Sequence, residues 1–108
     1  MSYKIETIGP FRREAKRLIK KYPSLKAELA SLGLKLAQNP ILGTALGNNC
    51  FKIRLAIASK GKGTSGGARI ITHLYIEEET VFLLSIYDKS ETESLSNHHI
   101  KALLELIR

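Results

Sequence analysis

From residue 39 to residue 76 the chain contains no aspartate or glutamate. This stretch therefore lacks the carboxylates that a divalent-metal site needs. It also leaves Lys52, Arg54, Lys60, Lys62 and Arg69 with no acid close by in sequence. Cysteine is nearly missing too. The single Cys50 rules out an intrachain disulfide framework and reads as a small buried hydrophobe in a reducing compartment. No apolar run approaches the roughly 20 residues of a membrane helix, and the start, Met1 to Glu6, lacks the apolar core of a signal peptide. Few aromatics lie among the cations, which argues against a sheet on which bases stack. What remains is the expectation of one cytoplasmic domain over residues 1–108, with no membrane segment, no cofactor and no metal.

The charge that is present is uneven. Residues 1–38 hold nine Lys/Arg against three acids, residues 39–76 hold five against none, and residues 77–108 hold three against seven. A basic N-terminal two-thirds fits a polyanion partner, with nucleic acid first. A solvated basic surface is the plainer alternative.

Hydrophobic spacing sets the elements. Tyr3 and Ile5 alternate in a short strand over 2–8, punctuated by Gly9-Pro10. Phe11, Ala15, Leu18, Ile19 and Tyr22 form one helical stripe, opposite Arg12, Arg13, Lys16, Arg17, Lys20 and Lys21. Pro23 separates this helix from a second, striped by Leu25, Leu29, Leu32 and Leu36 and ended by Asn39-Pro40. Residues 40–50 read as loop. Phe51, Ile53, Leu55 and Ile57 then alternate with Lys52, Arg54 and Ala56, the period of a strand with one apolar and one basic face. A Gly/Lys loop leads to a β-branched strand over 69–76, a Glu77–Glu79 turn, and an apolar run over 80–87 of the kind found in central strands. Residues 88–93 read as polar loop, and Ser96 as the cap of a last helix with Ile100, Leu103, Leu104 and Ile107 inside. The fold expected is α+β, in the order β-α-α-β-β-β-α, with an antiparallel sheet and a helical hairpin on one face.

The chemistry concentrates in 51–69. Gly61-Lys62-Gly63-Thr64-Ser65-Gly66 matches a dinucleotide fingerprint literally, but a strand follows it where that motif needs a helix N-terminus. Its glycines still let backbone approach a phosphate, with Lys60 and Lys62 as charge. Lys52 and Arg54 lie on one strand face, roughly 7 Å apart. With Arg69 on the neighbouring strand, three cations around one point could hold a phosphodiester and stabilise extra charge on it. His98 and His99 diverge by about 100° on a helix, so they cannot share a metal in the i,i+4 manner. His73 is in phase with Arg69, either as an ordinary strand histidine or as a group beside the site.

Three stretches taken together resemble the RelE/ParE toxin superfamily, and its RelE/HigB-like branch most. They are Phe51 to Leu55, Ser59 to Ile71 with its KGKG and SGGAR segments, and Leu83 to Glu91. The element order fits as well. The resemblance implies a RelE-like fold and the toxin of a type II toxin–antitoxin pair, held in check by a cognate antitoxin protein. It implies metal-free cleavage of mRNA in the ribosomal A site, in which the ribose 2′-hydroxyl attacks the adjacent phosphate and the 5′-oxygen leaves.

Residue by residue, it places Lys52 and Arg54 at the phosphate-holding pair and Arg69 at the arginine that stabilises the scissile phosphate. Arg54 replaces the family's basic lysine and is a poor base, so that role passes to Lys52, Lys60 or Lys62. Lys89 stands where an arginine acts as acid. Leu95 stands where a stacking tyrosine is found, and Tyr87 is its substitute. Lys52, Arg54, Arg69, Tyr87 and Lys89 are thus the expected catalytic set, and Lys60, Lys62 and His73 the expected RNA and phosphate contacts. The rival readings are a ParE-like DNA gyrase inhibitor, which would cause DNA damage and leave mRNA intact, and a non-catalytic RNA-binding module, which would bind free RNA in a salt-dependent way without arresting growth.

Overall fold

A computed structural model of the chain describes residues 2–61, 63 and 65–107. Strand β1 is Lys4–Thr7, and helices α1 (Gly9–Lys21) and α2 (Leu25–Gln38) follow it as a hairpin. Pro10 lies in the first turn of α1, where its missing N–H has no partner to lose. Strands β2 (Thr44–Gly47), β3 (Cys50–Leu55), β4 (Ala68–Tyr75) and β5 (Thr80–Asp88) come next, and helix α3 (Asn97–Leu104) closes the chain. The Ser96 hydroxyl accepts the His99 N–H at 3.1 Å, capping α3 as its position suggested.

The sheet order is β1-β5-β4-β3-β2. Strands β3, β4 and β5 form the expected antiparallel meander. Two features differ from the sequence reading. The sheet is mixed rather than antiparallel, because β1 pairs with β5 in parallel. It also has a fifth strand. Residues 44–47, read as loop, pair antiparallel with β3. Every residue of β2 is exposed, so burial imprinted no alternation on it. Its signal lay in Asn48-Asn49, whose φ values of 53° and 57° make the two-residue turn that the twist of a hairpin favours.

Register divides the sheet into two faces. Ile53, Ile70 and Ile86 form one cross-strand row, and Ile70 and Ile86 are fully buried. The α1–α2 hairpin covers this face with Phe11, Leu18, Leu25 and Leu36. Each such side chain contributes about 1.5–3 kcal/mol by leaving water. On the other face α3 shares a groove with His73 and Tyr75 near the end of β4. A bulge at Leu84, between the pairs Ile71–Ser85 and Thr72–Leu83, shifts the phase of β5. Tyr87 and Ser85 therefore share the α3 face with Arg69 and Ile71.

Candidate active site

The register puts Arg54 directly opposite Arg69, and Arg69 directly opposite Tyr87. The three side chains make one row across three strands, on the face away from the helical hairpin. Adjacent strands lie about 4.8 Å apart, so the row spans roughly 10 Å of backbone. Lys52 lies two residues along β3 on the same face, opposite Ile71. Register thus brings Lys52, Arg54, Arg69 and Tyr87 to one face of three adjacent strands.

Like charges placed directly opposite destabilise a sheet by some tenths of a kcal/mol. Arg54 is exposed, and the side chains of Arg54 and Lys52 make no hydrogen bond or ion pair with another described residue. Arg69 is 5 % exposed, and its guanidinium donates to the carbonyls of Ala68 (3.2 Å) and Ser65 (3.4 Å). The strand and the end of the glycine loop together aim it. Gly67 lets the end of the loop pass close to the end of β3, where a Cβ would stand 2.1 Å from the Leu55 carbonyl oxygen. The Tyr87 hydroxyl is buried and has no partner among the described residues. Burial raises its pKa above the ordinary value, partly offset by the nearby Arg69 charge. It is a neutral donor at pH 7.

Lys60 does not join this row. Its ammonium forms an ion pair with Asp88 and donates to the Ser90 hydroxyl at 3.1 Å. Asp88 pairs with Ala68 and so faces the helical hairpin, where the Tyr22 hydroxyl donates to it at 2.8 Å. Lys60 follows, to the far side of the sheet, because that is where a buried carboxylate lies. Lys62 lies outside the described residues. Lys89 donates to the Glu93 carbonyl at 3.1 Å, while its backbone N–H donates to Gly67, one step beyond β5. His73 keeps the phase expected of it but stands four residues from Arg69, about 13 Å along the strand. It lies opposite Cys50, 3.6 Å from the thiol. Cys50 is buried, as expected, and burial pushes its thiol up to about 11. Leu95 packs against the core.

The sequence reading missed Asp88 and Ser90 as partners of Lys60, and Tyr22 as a partner of Asp88. Its sequence neighbours make Asp88 read as the start of the polar loop, whereas it ends β5. Its one signal was position, an acid closing an apolar strand. Burial alone would raise its carboxyl, but the hydrogen bonds from Lys60, Ser90 and Tyr22 outweigh that and hold it well below the usual carboxylate range. Among the described residues no three His, Cys, Asp or Glu side chains gather as a metal-binding group. No helix among them is long and apolar enough to cross a membrane.

The architecture is that of the RelE-like α+β domains. Among solved structures, the isolated RelE toxin of E. coli superposes with a TM-score of 0.63 at 18 % identity, over 96 % of this chain and 98 % of that one. A chain of the intact E. coli RelBE toxin–antitoxin complex gives 0.61 at 18 %, over 81 % and 96 %. A free RelE with two arginines changed to alanine gives 0.63 at 19 %, over 86 % and 90 %. No protein-family model matches the chain. The chain has the RelE fold, as its motifs suggested.

Proposed function

We propose that this protein is the toxin of a type II toxin–antitoxin pair, and that it cleaves mRNA in the ribosomal A site by 2′-hydroxyl attack. The observation that carries the reading is the Arg54–Arg69–Tyr87 row, with Lys52 beside it on the face away from the helical hairpin. A sheet does not place arginine opposite arginine for stability. A scissile phosphate between them would turn that repulsion into binding, and would be held more tightly as negative charge builds on its oxygens. The likeness to RelE supports the same class.

The roles follow from the chemistry of each group. Arg69 is nearly buried and rigidly held, so it stabilises the nonbridging oxygens. Arg54 holds the same phosphate from the next strand. Lys52 is the described lysine best placed to take the 2′-hydroxyl proton, now that Lys60 is committed to Asp88. Tyr87 donates to an oxygen of the reacting phosphate, and Lys89, beyond the end of β5, supplies the proton to the leaving 5′-oxygen. A cognate antitoxin restrains the protein in the cell.

Induction of the protein without its antitoxin tests this reading. Growth should stop and translated mRNAs should be cut. Growth arrest with intact mRNA and broken DNA would instead favour a gyrase inhibitor, and binding of free RNA without arrest a passive RNA-binding module.

A further inference from the structure

Asp88 is fully buried, yet it accepts four hydrogen bonds. One oxygen takes the Lys60 ammonium, the Ser90 N–H at 2.9 Å and the Ser90 hydroxyl at 2.7 Å; the other takes the Tyr22 hydroxyl at 2.8 Å. The carboxylate has its lone pairs occupied by three separate parts of the chain. Those parts are the end of α1, the turn that opens the glycine loop, and the turn that carries Lys89.

We infer that the Asp88–Lys60 pair is a clasp that positions the active-site row from behind the sheet. Each arm of the clasp is next to a residue of the site. Asp88 follows Tyr87 directly, and its row, Leu55–Ala68–Asp88, adjoins the row Arg54–Arg69–Tyr87. Lys60 opens the glycine stretch that ends at Arg69, and Ser90 follows Lys89. The loop stem is fixed a second time at the elbow of the helical hairpin. There the Ala58 N–H donates to the Glu28 carboxylate at 2.7 Å, and the Ser59 N–H to the Ser24 hydroxyl at 2.9 Å. From the far side, Gly67 accepts the Lys89 N–H at 3.0 Å. The loop that delivers Arg69 is therefore tied at both stems.

Stability alone does not explain a buried ion pair here. An apolar pair of the same volume serves stability as well or better. A fully satisfied polar network instead fixes one arrangement of the groups that share it. Lys60 and Asp88 are positioning residues, acting through the loop and through Tyr87.

The inference rests on the nuclease reading for its kinetic arm, and a second arm is independent of it. The variants are Lys60→Met/Asp88→Asn, which removes both charges together, and Tyr22→Phe, which deletes one hydroxyl and leaves the pair. In cleavage of mRNA on purified ribosomes with an empty A site, the double variant should lose roughly ten- to a hundred-fold in kcat through misplacement of the reacting groups. Its KM should stay within about two-fold, since substrate binding is not what was removed. In amide hydrogen exchange on the full chain, the amides of Gly66, Gly67 and Arg69 should exchange at least about ten-fold faster, while those of Ile70 and Ile86 hold their wild-type rates. Tyr22→Phe should move the same amides by less.

A folded double variant with wild-type kcat, or exchange rising equally across the sheet, would overturn the clasp. If the double variant fails to fold, Tyr22→Phe decides: unchanged exchange at Gly66, Gly67 and Arg69 would overturn it. Should the wild type cut no mRNA, the nuclease reading falls, and the exchange arm still judges the clasp.

Discussion

The rows Arg54–Arg69–Tyr87 and Leu55–Ala68–Asp88 lie one residue apart on the same three strands and face opposite sides of the sheet. On the helix side a cation has come to a carboxylate, every polar atom of that carboxylate is used, and the result is closed to solvent. On the opposite side two arginines stand across from each other, and a buried phenol has its hydroxyl unused among the described residues. Complete satisfaction holds a structure still, whereas concentrated like charge leaves binding capacity for an outside anion. The difference between the rows separates what holds this site from what the site would hold.

Substitutions that break one row should leave the signature of that row. The largest effect on folding belongs to Lys60→Met, which strands a buried carboxylate and should cost about 3–5 kcal/mol in denaturant unfolding. In the arginine row Arg69→Ala should lower mRNA cleavage by about 10²–10³-fold, the range for losing one preorganised donor to developing charge, with the fold retained. Undiminished cleavage by that variant would mean the site is elsewhere.

Acid sharpens the contrast. The Asp88 carboxyl is held low in the folded protein, so its contribution is full above the unfolded value of about 3.9 and is lost as pH falls toward the lower folded value. Unfolding free energy measured against pH should therefore decline below about pH 4, and Asp88→Asn should flatten part of that acid limb. The smallest effect has the opposite sign from the first. Arg54→Gln relieves the cross-strand repulsion and should raise stability by about 0.2–1 kcal/mol while cleavage falls. A loss of stability in that variant would show that the arginine pair is not a strained one.

Much of this architecture is legible in the sequence. The stripes Phe11-Ala15-Leu18 and Leu25-Leu32-Leu36 gave the helical hairpin because its buried face repeats at helical spacing. The alternation of β3 gave Lys52 and Arg54 a common face because side chains on a strand repeat every two residues. Strand β2 escaped because it buries nothing, and the parallel seat of β1 escaped because local spacing carries no information about a partner strand over 70 residues away. Lys60 was placed with the other cations for the same reason. Sequence proximity grouped it with Lys62 and Arg69, while the residue that claims it stands 28 positions later. The register of Arg54 with Arg69 could be hoped for from their strands, but only pairing fixes it.

If the Arg54–Arg69–Tyr87 row acts on messenger RNA, the ends of the transcripts record it. Mapping mRNA 5′ ends after induction, with the wild type and Arg69→Ala side by side, tests it most directly. New 5′ ends inside translated reading frames are expected with the wild type and none with the variant. Growth arrest by the wild type with no new ends would contradict it.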